Sequence, residues 1–164
     1  MRAILFSLYL TVIVASPTIH AEPIAAPFCP QSKQGINKIF LALAKLNDVR
    51  RDMSAVSENG NAKNLNIATG NLLIVFVLEY SVNVLTLYGT YGETLSTHGL
   101  CKKEAKNARQ VSEDVIKMLE DNASLLNGLQ VGISGSMLDS SSNRIAEKAK
   151  ETIRDAIREI RALY

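Results

Sequence analysis

Cys29 and Cys101 are the residues of this chain whose chemistry is easiest to assign. Both follow an export signal, and each sits where a helix is expected to begin. Redox pairs usually lie close together, as in C-x-x-C, and two cysteines alone rarely complete a metal site. This pair would close a loop of 72 residues. In an oxidising compartment it is expected to form a structural disulfide, contributing roughly 4 kcal/mol through unfolded-state entropy.

A second candidate is Glu79, the only charged residue between Lys63 and Glu93. With Asn83, Thr86 and Thr90 it forms a polar row on an otherwise apolar helix, and Glu79, Asn83 and Thr86 are the candidate ligand or buried polar site. A buried carboxyl would have a raised pKa and could serve as an acid. Most catalysis needs a second placed group, and the sequence supplies none. The expected role of Glu79 is therefore that of a residue at the bundle edge, or one paired with a neighbouring Lys or Arg. His98, beside Gly99, cannot by itself make a multi-histidine zinc site. The segment Gly132-Ile133-Ser134-Gly135-Ser136 lacks the lysine of a phosphate loop and reads as a flexible connection. Asn122-Ala123-Ser124 matches the N-glycosylation pattern inside an expected helix. No metal site or cofactor motif is evident.

The last helix carries two charged rows. Lys150, Arg154, Arg158 and Arg161 form the basic one, a candidate surface for a protein partner. Glu147, Glu151, Asp155 and Glu159 form the acidic one. Pairs at i,i+3, Glu151–Arg154 and Asp155–Arg158, would make both rows a solvated face.

The elements that must position these residues are four helices. The first is expected over 32–58, with Ile36, Ile39, Phe40, Leu43, Leu46, Val49, Met53 and Val56 on one face. The second is expected over 62–91, buried on most sides, with Gly89 and Gly92 bending or ending it. The third should start at Cys101 and stop at Asn127-Gly128, with Ala108, Val111, Val115, Met118, Leu119, Leu126 and Leu129 inward. Lys102 and Lys103 would then occupy its first turn, where the helix dipole disfavours them. The fourth is expected over 142–163, with Ile145, Ala149, Ile153, Ala156, Ile160 and Leu163 at helical spacing. Mostly short connections between amphipathic helices imply an all-α, antiparallel up-down-up-down four-helix bundle with one disulfide.

Composition bounds the rest. Residues 1–21 read as a signal peptide, with Arg2 before the apolar stretch 3–15 and Ala21 at the cleavage position. Residues 22–31 form an extended lead-in, and 32–164 a single helical domain. Without Arg2 the chain carries 17 basic against 16 acidic residues, which argues against nucleic acid as a partner. The expected protein is exported, to the periplasm or the extracellular space. It is expected to be non-enzymatic, binding another protein as an inhibitor, immunity-type or secretion-accessory protein. The alternative is a carrier of a small apolar ligand in a pocket beside helix 2. A membrane-bound form would have to use helix 2, whose polar row speaks against it.

Overall fold

The computed structural model describes residues 33–59, 65–131 and 138–163, and these form four helices and no strand. Helix α1 is Lys33–Asn59, α2 Leu65–Thr97, α3 Ala105–Val131 and α4 Ser140–Arg161. Residues 1–21, read as a signal peptide, the lead-in 22–31 with Cys29, and the glycine-serine connection 132–137 lie outside the described residues.

Side-chain pairs give the direction of every neighbouring helix. Between α1 and α2, Arg50 binds Glu79 at 3.0 Å, and Phe40 packs at Gly89. Residue numbers rise on one helix as they fall on the other, so the two are antiparallel. Tyr88–Ser112 and Ser81–Asn122 do the same for α2 and α3. Glu120–Arg161 and Gln130–Glu147 relate α3 to α4. Lys38–Glu159 and Asp52–Lys148 close the square between α1 and α4. The helices therefore alternate in direction around a bundle, with α2 and α4 across a diagonal.

The core lies on the axis of that square. Leu46, Val49 and Met53 of α1, Ile74, Leu78 and Leu85 of α2, Leu119 and Leu126 of α3, and Ile153 and Ile160 of α4 are fully buried. Ala146, Ala149 and Ala156 are also fully buried, and their small size lets α4 come close to its neighbours. Met118 departs from the expected face of α3 and is exposed.

Helix α2 is longer than the glycines suggest. Gly89 and Gly92 are buried inside it and neither ends it. A Cβ on Gly89 would stand 3.0 Å from the Phe40 ring, so this glycine makes room for an aromatic from α1. The real stop is Gly99, the one described glycine with positive φ, at 63°. The Leu100 amide donates to the Leu95 carbonyl and the Gly99 amide to the Ser96 carbonyl, the paired bonds of a Schellman cap. Cys101 to Glu104 then form a turn, and α3 begins at Ala105 rather than at Cys101. Lys102 and Lys103 thus precede the helix, which removes most of the expected conflict with its dipole.

The disulfide has no counterpart among the described residues. Cys101 is 3% exposed, beside the cap of α2, and Cys29 lies outside them.

Asp139 caps α4, whose first residue, Ser140, comes two residues earlier than the apolar spacing indicates. Its carboxylate accepts the Ser142 amide at 2.8 Å. That bond favours the ionised form and holds the Asp139 carboxyl below the usual carboxylate range. A lowered folded-state pKa contributes stability that is complete above the unfolded value of about 4 and is lost as pH falls through the folded value. Asp139→Asn, which can still cap, should flatten this acid limb in urea unfolding followed from pH 7 to pH 2. Asp139→Ala should cost about 1 kcal/mol at neutral pH.

Candidate interaction surface

Helix α2 carries the site because it has two seams. The inward one is Asn71, Ile74, Leu78, Ser81, Leu85, Tyr88, Gly92 and Leu95, and every member is buried. The spacing alternates three and four, the heptad pattern of helices that pack side by side. The opposite one is Thr69, Leu73, Phe76, Tyr80, Asn83, Leu87, Thr90 and Thr94, and every member is exposed. It keeps the same alternation and contains no charge.

The expectation that α2 is buried on most sides is therefore corrected. Phe76 is 59% exposed and Leu87 72%. A residue-by-residue hydropathy reading misses this, because the unbroken apolar run 72–78 supplies both faces at once. Among the described residues α2 is the one helix long and apolar enough to cross a membrane. Here its inner seam is occupied by protein.

Buried polar pairs set which seam points inward. The Asn122 amide donates to the Ser81 hydroxyl at 2.8 Å, and Ser81 in turn donates to the Val77 carbonyl. The hydroxyls of Tyr88 and Ser112 lie 2.7 Å apart. Asn122 is 5% exposed and held by Ser81, so the folded protein does not present its sequon for modification.

The outer seam borders an open groove of about 630 Å³ between α2 and α3. Leu73 and Val77 form one wall and Leu125 and Leu129 the other, with Asp121 and Gly128 at its margin. Leu125 is 57% exposed and extends the apolar face onto α3.

Glu79, Asn83 and Thr86 are all exposed, where a ligand or buried polar site was expected. Glu79 lies at the edge of the outer face, half exposed and bound to Arg50 from α1. The Thr86 hydroxyl donates to the Val82 carbonyl of its own helix. Asn83 is the only amide on the outer seam.

The basic row of α4 is divided. Lys150 is 4% exposed, and its ammonium binds the Glu147 carboxylate at 2.9 Å, so it leaves the surface expected for it. The Lys150 ammonium and the Gln130 amide keep the Glu147 carboxyl below its usual range. Arg154, Arg158 and Arg161 do share an open groove with Asn127 and Glu120. However, Arg158 is paired with Asp155 and Arg161 with Glu120. Much of that positive charge is already answered within the molecule.

His98 caps α2, with Nδ1 at 3.0 Å from the Thr94 carbonyl. Among the described residues no group of three His, Cys, Asp or Glu side chains could hold a metal ion.

Two of the polar contacts of α2, Ser81–Asn122 and Glu79–Arg50, should differ sharply on mutation. Asn122→Ala removes a buried partner and should cost about 1–3 kcal/mol. Glu79→Gln breaks an exposed pair and should change stability by less than about 1 kcal/mol. Urea unfolding of the two variants beside the parent checks the contrast. Comparison of this chain with protein-family models, with curated proteins and with solved structures finds no match.

Proposed function

We propose that this chain is an exported, non-enzymatic protein that acts by binding a second polypeptide through the outer face of α2. An inhibitor, an immunity-type protein or a secretion accessory would work in this way. The observation that carries the reading is the uncharged run Leu73, Phe76, Tyr80, Asn83 and Leu87, exposed along one helix and continued by Leu125. A contiguous apolar patch of this kind marks an interaction site on a soluble protein. Export rests on residues 1–21, read as a signal peptide.

The Cys29–Cys101 disulfide belongs to the same proposal. Phe40 packs at Gly89, so the first turn of α1 lies near the end of α2 that Cys101 follows. Only three residues separate Cys29 from Lys33 in the sequence, a spacing that supports the pairing. Thiol titration of the unfolded, unreduced exported chain should find no reactive cysteine, and two after reduction.

The groove between α2 and α3 supports a second reading, a carrier of a small apolar ligand, because its facing walls are leucine and valine. Native mass spectrometry of the chain recovered from its native source separates the two. The proposal expects a complex with a second polypeptide, lost in Phe76→Glu. A mass raised by a small molecule alone would favour the carrier. The bare polypeptide mass would contradict both.

A further inference from the structure

We infer that the occupant of the outer face of α2 is a second copy of this chain, packed helix to helix through that seam. The inference rests on the proposal that this face is the interaction surface, and it names the partner. Three observations lead to it.

The first is periodicity. Thr69, Leu73, Phe76, Tyr80, Asn83, Leu87, Thr90 and Thr94 repeat the alternation of the buried seam of the same helix. A seam of this period receives the side chains of another helix between its own.

The second is charge. From residue 64 to residue 101 there is no Lys or Arg, and Glu79, the acid nearest the seam, is answered by Arg50 of its own chain. A helix lying on an anionic membrane surface carries basic residues along its polar face, and α2 has none. A strongly charged partner would find nothing to pair with. A second copy meets an uncharged face with an uncharged face and brings no like charges together at its centre.

The third is area. Leu72, Leu73, Phe76, Tyr80, Leu87 and Leu125 are 39% to 72% exposed. Together they leave on the order of 700 Å² in solvent, close to the ~800 Å² per partner of a standard specific interface.

Asn83 then sets the register. A single amide within an apolar seam fixes the alignment of paired helices, because it needs another polar group opposite it when covered. In an isologous pair the same amide of the second copy supplies that group. The pairing leaves the groove of Arg154, Arg158 and Arg161 on the α3–α4 side of each copy, away from the contact.

Sedimentation equilibrium of the chain from Glu22, which carries every described helix, tests this from low to high micromolar concentration. The expected result is a monomer–dimer equilibrium in the parent and in Leu41→Glu, an exposed leucine on α1. Phe76→Glu should weaken the dimer at least about tenfold, because it would place a carboxylate in an apolar contact. Far-UV circular dichroism should show the same helix content in all three chains. Under mild oxidation, Asn83→Cys should give a covalent dimer and Leu41→Cys should not. A parent that stays monomeric throughout overturns the inference, as does a dimer that Phe76→Glu leaves intact while its helices are retained. A monomeric parent that captures a different polypeptide through Phe76 would leave the proposed function standing and refute only the choice of partner.

Discussion

The hydrogen bond from the Asn122 amide to the buried Ser81 hydroxyl fixes how α2 is rotated in the bundle. From Leu72 to Leu78 this helix is apolar without interruption, so hydrophobic burial alone would accept more than one rotation. A turn of one residue would carry Ser81 away and leave a buried amide without its partner, at a cost of about 1–3 kcal/mol. Tyr88 and Ser112 repeat the constraint two turns along. Fully satisfied polar pairs of this kind select one packing among several of similar apolar area.

Once the rotation is set, the remaining features of α2 follow. Gly89 faces Phe40 where α1 comes close, and Glu79 reaches the edge where Arg50 can bind it. Leu73, Phe76, Tyr80 and Leu87 are left on the far side. The ion pairs around the square, such as Lys38–Glu159 and Asp52–Lys148, are exposed and individually weak. Their value here lies in alignment, since each joins helices running in opposite directions.

Much of this architecture can be read from residue spacing. The α4 stripe of Ala149, Ile153, Ala156 and Ile160 is fully buried at the expected positions, because a strongly amphipathic helix has one orientation that hides it. The α2 segment offers no such contrast, so its rotation depends on Ser81, Tyr88 and their α3 partners, a tertiary fact. The glycines of α2 differ in a way spacing does not show: Gly89 and Gly92 are buried inside the helix, while among the described residues only Gly99 takes the left-handed conformation that ends a helix. The start of α4 was legible in principle, since Asp139 precedes the apolar spacing as an N-cap does. The basic row could not be divided without the fold, because only the packing of α3 shows that Lys150 is inside and Arg154 outside.

The claim that most needs testing is that the outer face of α2 is covered when the protein works. Hydroxyl-radical oxidation, read by mass spectrometry at each side chain, addresses it directly. Phe76, Tyr80 and Leu87 should lose reactivity as protein concentration rises, while Leu41, of comparable exposure on α1, should keep it. Reactivity of Phe76 that, like that of Leu41, does not change with concentration, and is the same in the material recovered from its native source, would contradict the account.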